Sequence, residues 1–367
     1  KDLIQNHLAF ALFNHVAIFE RKYWPRGYGI NGYITMRKEK MSKSLGNVQI
    51  LRDALAQLGT DVTRITLAQG GEGLDDPSFD PDFALTIGRK LKQWYSFATE
   101  EHESREEWRP IDSWFRSVMN WAIKETEDAM ELMNHRTALK ACYFDLQREW
   151  QWYMRRTSSI PNSGLLSDLI ETETKMLAPF VPHLCEEIWE ALGKEGYISQ
   201  ASCPEYKEDE IDRVAERSEE FLKSNLDDIR EILKVIKITP RKIVLYLSPG
   251  WKNKVYKWAI NLAKSRELSM KTVMEKVTAD EELKEKTKEI LKFAGKMLED
   301  IQKISSSDLE EYGNLIDEKG YLSDSIEFLK TEFSCDVEIY DAEDGSRYDP
   351  QEKARFAMPW RPAIFVE

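Results

Sequence analysis

Residues 40–47 read KMSKSLGN, the stretch that says most about the fold of this chain. They follow a short segment predicted as a strand, residues 30–35, and precede a helix predicted over residues 48–58. Two lysines three positions apart, with serines and a glycine close by, make a cationic loop rich in hydrogen-bond donors. Such a loop suits polyphosphate, because ammonium groups neutralise developing negative charge while hydroxyl and backbone N–H groups donate hydrogen bonds. The alternative is an ordinary solvated basic turn.

Composition places limits on the rest of the molecule. The chain has 367 residues, a formal net charge of −13 and 42% hydrophobic residues, which suggests two or three domains with real cores. No apolar run is long enough to predict a membrane span. Four scattered cysteines without a Cys-x-x-Cys pair argue against a disulfide scaffold or a thiolate zinc site, so no metal site is predicted. The acidic balance disfavours nucleic-acid binding, although total charge says little about one local surface.

The hydrophobic pattern predicts a mainly α chain in three parts. Residues 1–90 hold an opening helix, the strand, the basic loop and two further helices. Residues 91–205 read as a helical bundle with short loops. Residues 206–220 look like a charged connector that opens a third part, residues 206–367, with helices mixed with strands. The third part is therefore predicted as a small α+β domain.

The pentapeptide KMSKS at residues 40–44 is identical to the signature of the class I aminoacyl-tRNA synthetases, which this chain resembles. The resemblance implies that residues 1–90 are the C-terminal part, or remnant, of a Rossmann-type catalytic domain, including the region that contacts the tRNA stem. It assigns catalytic roles to Lys40 and Lys43, which would bind the ATP phosphates and stabilise departing pyrophosphate. It also implies ATP-binding hydrogen bonds from Ser42 and Ser44, with ATP and Mg²⁺ as cofactors.

A second match lies at the start of the chain. Residues 1–8, KDLIQNHL, resemble the family segment Gly-Lys-Asp-x-x-x-x-His. That resemblance implies ATP-binding positions for Asp2 and His7. The alternative for His7 is a packed or capping histidine on a helix.

A third match lies in the predicted bundle. Residues 178–189, APFVPHLCEEIW, resemble a segment of the subgroup that activates leucine, isoleucine, valine and methionine. Its residues favour a structural role, with proline opening a helix, glutamate near the positive helix end, and Ile188 and Trp189 facing inward. His183 is not interpreted as a metal ligand, since a His-x-Cys pair alone is not a zinc site. The resemblance makes the bundle an anticodon-binding-type domain.

The last stretch, residues 353–367, resembles the tail of the archaeal and eukaryotic-type leucyl-tRNA synthetases. The resemblance implies contact with the long variable arm of tRNA(Leu). Arginines can bind phosphate and aromatic rings can stack on bases. The alternative is a terminal strand packed on its own domain. The implied tRNA-binding residues are Arg355, Arg361, Ile364, Phe365, Val366 and Glu367.

One family element is missing from this chain. No two of its five histidines lie three positions apart, so the His-Ile-Gly-His element of class I enzymes is absent. The resemblance therefore predicts a portion of a cytoplasmic leucine–tRNA ligase that lacks its N-terminal half, inactive alone, with that half, leucine, ATP and tRNA(Leu) as partners. Two alternatives stay open: a non-catalytic tRNA-binding fragment or subunit, and a portion of an isoleucyl or valyl enzyme.

Overall fold

The computed structural model describes residues 1, 3–42, 44, 46–304, 309 and 317–367. The chain divides into two compact units, Lys1–Ile211 and Asp212–Glu367. Helices dominate the chain, so the predicted mainly α class is confirmed. The further division at residue 90 stays a prediction. Within the described ranges, no helix is both long enough and apolar enough to cross a membrane.

The first unit opens with helix and a very small sheet. A π-helical segment, Ile4–Leu8, leads into α1 (Ala9–Ile18). The sheet has three two-residue strands in the order β2-β1-β3, with β1 antiparallel to β2 and parallel to β3. Two helices lie between β2 and β3 in the chain. These elements are β1 (Thr35–Met36), β2 (Glu39–Lys40), α2 (Leu51–Leu58), α3 (Thr60–Gly70) and β3 (Ser78–Phe79).

The predicted strand over residues 30–35 is wrong except at its last residue. The preceding backbone bonds to a loop instead of a ladder, since Gly32 N donates to Asp75 O at 2.9 Å and Tyr33 N donates to Asp76 Oδ1 at 2.8 Å. A Cβ at Gly32 would come within 2.3 Å of the Asp75 carbonyl oxygen, so only glycine allows this approach.

The predicted helical bundle follows. Helix α4 places Ile87, Leu91 and Trp94 inward at intervals of three and four residues, as an amphipathic helix requires. The bundle helices are α4 (Pro81–Thr99), α5 (Pro110–Glu131), α6 (His135–Leu139), α7 (Leu146–Arg156), α8 (Ser163–Leu177) and α9 (Pro182–Ala191), with a π-helical segment, Lys140–Asp145, before α7.

A buried ionic network locks the start of α5 to α7. Arg105 binds both carboxylate oxygens of Asp112, at 2.8 and 2.6 Å, and Asp112 is fully buried. The Tyr153 hydroxyl donates to the same carboxylate at 2.6 Å, and Arg109 N donates to it at 2.6 Å. Both oxygens of the carboxylate thus accept hydrogen bonds, which offset the free-energy cost of burying its charge.

The segment at residues 178–189 has the structural role that its residues favour. Pro182 occupies the first turn of α9, and Ile188 and Trp189 are buried. The Asp61 carboxylate of α3 accepts hydrogen bonds from Leu184 N at 2.7 Å and lies 2.8 Å from His183 Nδ1. A carboxylate at a helix N-terminus satisfies orphan N–H groups and the helix dipole.

The second unit combines helices with a three-stranded sheet in the order β5-β4-β6. The central strand is almost fully buried, with β5 parallel and β6 antiparallel to it. The mixture matches the predicted α+β composition. Its elements are α10 (Arg213–Ile236), β4 (Lys242–Leu247), α11 (Gly250–Lys264), α12 (Met270–Ala279), α13 (Thr287–Ile301), α14 (Glu318–Asp324), α15 (Ile326–Phe333), β5 (Asp336–Asp341) and β6 (Ala363–Val366).

The charged connector predicted at residues 206–220 is wrong over its second half, because α10 already begins at Arg213. The Asp212 carboxylate caps the helix by accepting from Ala215 N at 2.9 Å. The charges that suggested a linker form i,i+3 ion pairs along the helix, Arg213 with Glu216 and Arg217 with Glu220.

Candidate phosphate loop and nucleic-acid interface

A tight hairpin connects β1 to β2. Its turn residues Arg37 and Lys38 both have left-handed backbone, with φ of 49° and 68°, as a two-residue hairpin of this twist requires. The turn is held from the neighbouring strand, since Arg37 N donates to Phe79 O at 3.1 Å and Lys38 N donates to the Ser78 hydroxyl at 2.9 Å. Lys40 therefore leaves the sheet at a defined and exposed position.

The loop after β2 is closed by one side chain. The Asn47 amide oxygen accepts from Ser42 N at 2.8 Å, and its NH₂ group donates to Lys40 O at 3.2 Å. Gly46, just before it, has a φ of +66°, which favours glycine. The Ser42 and Ser44 hydroxyl oxygens lie 2.7 Å apart. The loop thus brings an exposed ammonium group and two hydroxyls to one place, which is chemistry suited to an anion.

The other predicted ATP-binding residues have different outcomes. Lys43 and Asp2 lie outside the described residues. His7 lies in the π-helical segment with an exposed side chain, so it is not a packed histidine, and the capping alternative stays open. Lys1 pairs with Asp76 at 2.9 Å, and this contact together with Tyr33 N lowers the pKa of Asp76.

No metal site emerges from the described ranges, where no three His, Cys, Asp or Glu side chains are placed to hold a metal ion. Residues 40–47 supply ammonium, hydroxyl and amide groups but no carboxylate. Mg²⁺ prefers oxygen ligands and is often held partly by substrate phosphates. The side chains of residues 40–47 therefore suit a phosphate better than they suit the ion itself.

A basic and aromatic cavity of about 910 Å³ lies in the second unit, and we name it the C-terminal cavity. Cationic side chains outnumber carboxylates along its wall, five to two, within a chain that is acidic overall. Trp251, Phe293 and Phe356 add aromatic surface. The cations are Lys252, Lys292, Lys296, Arg355 and Arg361, and the carboxylates are Glu289 and Glu343.

Lys252 is the structural centre of this cavity. It is only 8% exposed, and its ammonium group donates to Ala357 O at 2.6 Å and Arg355 O at 3.3 Å. Burial lowers the pKa of Lys252. The Arg355 guanidinium lies 4.8 Å from the centre of the Phe356 ring, which is 60% exposed. The cavity therefore offers a cation next to an open aromatic face, the combination that binds phosphate and base together.

The tail residues predicted to contact tRNA do not share one surface. Arg355 and Arg361 line the C-terminal cavity together. Ile364 lies in a neighbouring groove against the end of α10, which Arg361 also lines. Phe365 is 6% exposed and packs with Val244 in the sheet core, so stacking of its ring on a base is not open to it in this structure.

Strand β6 is packed on its own unit, as the terminal-strand alternative expects. Val366 is half-buried, and Glu367 is exposed but exchanges backbone hydrogen bonds with Lys242, at 3.0 and 2.9 Å. The Tyr348 hydroxyl donates to the Glu367 carboxylate at 2.8 Å. Contact of these residues with tRNA stays a prediction.

Sequence reasoning missed Lys292 and Lys296 of α13. Their four-residue spacing beside Phe293 is a signal that could have found them, because it places both on one helix face. Two lysines of α11 that are close in sequence have different surroundings. Lys252 enters the cavity, whereas Lys254 pairs with Asp280 at 2.6 Å.

The comparisons with known proteins first define a class. Residues 112–245 match the sequence model of the anticodon-binding domain of tRNA ligase. The match begins in α5 and ends in β4. The predicted anticodon-binding-type domain is therefore confirmed, and the chain carries a domain of the tRNA ligase class.

The similarity to individual proteins covers the whole of this chain but only part of each relative. The whole chain matches the leucine–tRNA ligases of Methanococcoides burtonii (38% identity), Methanosarcina mazei (39%) and Pyrococcus abyssi (36%). It spans 39%, 38% and 37% of their respective lengths. The resemblance to leucyl-tRNA synthetases is thus confirmed for a region of a little over a third of those proteins. A solved ternary complex of Agrobacterium radiobacter K84 LeuRS with tRNA and LeuAMS is 14% identical, with a TM-score of 0.45, covering 68% of this chain and 30% of that one.

Proposed function

We propose that this chain is part of a leucyl-tRNA synthetase, which activates leucine with ATP and transfers it to tRNA(Leu). The observation that carries the proposal is the sequence KMSKSLGN at residues 40–47, with Asn47 bonded to the backbone of Lys40 and Ser42, in a chain similar throughout to leucine–tRNA ligases. In this proposal, residues 1–90 are the end of the catalytic domain and residues 91–205 are the bundle. Residues 206–367 are the tRNA-binding domain.

The chemistry assigned to the loop is charge neutralisation. A leucine carboxylate oxygen forms a bond to the α-phosphorus of ATP, and the bond from that phosphorus to pyrophosphate breaks. Lys40 and Lys43 hold the phosphates that depart, while the Ser42 and Ser44 hydroxyls donate hydrogen bonds to their oxygens. Asp2 and His7 belong to the same proposed ATP site. Mg²⁺, when bound with ATP, supplies further positive charge at the phosphates.

The tRNA role is assigned to the second unit. The C-terminal cavity holds Arg355 and Arg361 beside the open Phe356 ring, so it can accept the phosphates and an unpaired base of the long variable arm. The groups that the chain itself does not contain, above all the His-Ile-Gly-His element, are assigned to the N-terminal half of the enzyme. That half is therefore the proposed protein partner.

The test is leucine-dependent ATP–pyrophosphate exchange by the complete enzyme. Lys40→Ala and Lys43→Ala should each lower exchange about 100-fold or more, as loss of a group that stabilises transition-state charge does, while tRNA(Leu) affinity stays unchanged. Lys38→Asn is the matched control, because it removes a lysine from the same hairpin and asparagine accepts its left-handed backbone. Unchanged exchange in both lysine variants would disprove the assignment of the loop.

A second candidate is a tRNA-binding module that leaves catalysis to another chain. The anticodon-binding match over residues 112–245 and the basic C-terminal cavity favour it. It predicts that this chain alone binds tRNA(Leu) and loses affinity when the variable arm is shortened. Equal binding of long-armed and short-armed tRNAs would contradict it.

A further inference from the structure

Residues 75–79 contact two parts of the chain that lie far from them in sequence. They comprise β3 and the three residues before it. One of the two parts is the segment of residues 1–8, which bears His7. The other is the hairpin of β1 and β2, from which Lys40 leaves the sheet. Residues 75–79 therefore lie between two groups of residues that are assigned to the same ATP site.

The contact with residues 1–8 is an ion pair. Lys1 Nζ lies 2.9 Å from Asp76 Oδ1, and the Lys1 main-chain nitrogen donates to Asn31 O at 2.7 Å. The Lys1 ammonium group also lies 5.9 Å from the centre of the Tyr33 ring, within the range of a cation–π contact. The two members of the ion pair are 75 positions apart, so tertiary packing alone brings them together. The Asp76 carboxylate thus holds residues 1–8 against the segment that enters the hairpin.

The same carboxylate oxygen also binds the chain that leads to Lys40. Tyr33 N donates to Asp76 Oδ1 at 2.8 Å, and two residues later Thr35 N donates to Pro77 O at 2.8 Å. Thr35 in turn pairs with Lys40 across the hairpin. A continuous series of backbone contacts therefore connects Asp76 to the start of the basic loop.

The surroundings of Asp76 suit positioning better than they suit stabilisation of the fold. The hydrogen bond from Lys1 and that from Tyr33 N lower the pKa of Asp76, so its carboxylate is charged at neutral pH. A Cβ at Gly32 would collide with this carboxylate, which shows how closely the backbone approaches it. The Asp76 side chain is nevertheless 46% exposed, and exposed ion pairs add little to stability.

We propose that Asp76 is a positioning residue for leucine activation. Its carboxylate fixes the segment that bears His7 relative to the hairpin that bears Lys40, so that both segments meet one ATP molecule. Asp76 acts through Lys1 and Tyr33 and does not itself touch ATP. The inference rests on the proposed function, because it requires an ATP site that the two segments share.

The experiment measures leucine-dependent ATP–pyrophosphate exchange by the complete enzyme in two backgrounds. Asp76→Ala removes the acceptor of both hydrogen bonds and should lower kcat about five- to ten-fold when Lys40 is present, because a small displacement of a catalytic group is costly. In the Lys40→Ala background the same change should cost less than about two-fold, since the group to be positioned is gone. A role limited to folding would lower exchange by the same factor in both backgrounds.

Three further variants separate the two bonds from a general effect of charge. Asp75→Ala is the matched control, because it removes a neighbouring carboxylate while the bond from Gly32 N, which uses the Asp75 main-chain carbonyl, remains. It should leave exchange unchanged. Asp76→Asn keeps an acceptor for Tyr33 N but breaks the ion pair, and Lys1→Met breaks it from the other side. Each should lower kcat about two- to four-fold, and the two together should lower it no further.

Two results would overturn the positioning role: equal factors for Asp76→Ala in both backgrounds, or a loss no larger than that of Asp75→Ala. Failure of the proposed function would be recognised separately, because Lys40→Ala and Lys43→Ala would then leave exchange unchanged. Reduced exchange in Lys40→Ala with full exchange in Asp76→Ala would refute the role of Asp76 alone. Thermal unfolding of each variant, expected to match that of the parent enzyme, confirms that exchange is compared between folded proteins.

Discussion

The basic loop at residues 40–47 and the C-terminal cavity both gather positive charge, but they are built in opposite ways. The loop is eight consecutive residues, and Asn47 bonds to backbone groups only five and seven residues away. The cavity takes its five cations from α11, α13 and the segment before β6, which packing brings together. A local site leaves a motif in the sequence, whereas an assembled site leaves only scattered lysines and arginines.

The two sites also differ in how far their lysines contribute to the stability of the fold. Lys40 is exposed and supports no described tertiary contact through its side chain, whereas Lys252 is buried and holds two carbonyls of the cavity wall. Substitutions in the loop should therefore change chemistry alone. Substitutions in the cavity should change folding and binding together.

The largest expected effect is a pH dependence of the free energy of unfolding of the second unit. Glu318 is 9% exposed, accepts from Trp360 N at 2.9 Å, and has its pKa raised to about 7 by burial. The folded state therefore holds a proton between pH 4.5 and 7 that the unfolded chain releases, so stability falls as pH rises through this window. The loss should reach about 3 kcal/mol above pH 7.

Urea unfolding of the full chain at a series of pH values measures that slope. Glu318→Gln keeps an acceptor for Trp360 N and should flatten the slope for the second unit. Glu327→Gln, at a carboxylate that is 81% exposed, should leave it intact. A slope that survives Glu318→Gln would show that another group carries it.

The second effect is the cost of losing the buried ammonium. Lys252→Met keeps the length of the side chain but leaves the carbonyls of Ala357 and Arg355 without their donor. We expect the free energy of unfolding of the second unit to fall by about 2 kcal/mol. Lys40→Met should change stability by less than about 0.5 kcal/mol, as exposed substitutions do. Equal losses of unfolding free energy in the two variants, measured by urea titration, would contradict the proposed difference between the two sites.

The third effect concerns how the loop is held. Asn47→Ala removes both side-chain hydrogen bonds to the loop backbone and should lower pyrophosphate exchange about ten-fold. Lys40 remains in that variant, so exchange should fall less than in Lys40→Ala. Asn47→Asp, which still accepts from Ser42 N, should recover part of the rate. Full activity in Asn47→Ala would mean that the amide does not shape the loop.

The smallest effect is expected at single rim cations of the cavity. Lys292→Ala or Lys296→Ala should weaken tRNA(Leu) binding about two- to five-fold and reduce its salt dependence by about one counterion. Binding measured over a range of salt concentrations gives the slope. Lys254→Ala, at a lysine already paired with Asp280, is the control. If tRNA(Leu) binding had the same salt dependence in all three variants, the C-terminal cavity would not be part of the tRNA interface.

Prediction from sequence succeeded where the deciding contacts are close in the chain. The bundle helices, the turn-rich basic loop and the buried Ile188 and Trp189 all follow from spacing of three and four residues or from local caps. Prediction failed where hydrogen bonds to a distant segment determine the secondary structure. Residues 30–35 are the example, because their backbone bonds to the loop at Asp75 and Asp76. The prediction of a connector at residues 206–220 was partly wrong for another reason. A charged helix face has the same composition as a charged linker.

The sequence by itself determined the helical class, the basic loop at residues 40–47 and the resemblance to leucyl-tRNA synthetases, because each of these depends on residues near one another in the chain. Only the tertiary structure decided that Phe365 is buried while Phe356 is open, and that Lys252 joins Arg355 and Arg361 around one cavity. Burial and proximity are properties of packing, and the order of residues along a chain does not state which distant segments pack together.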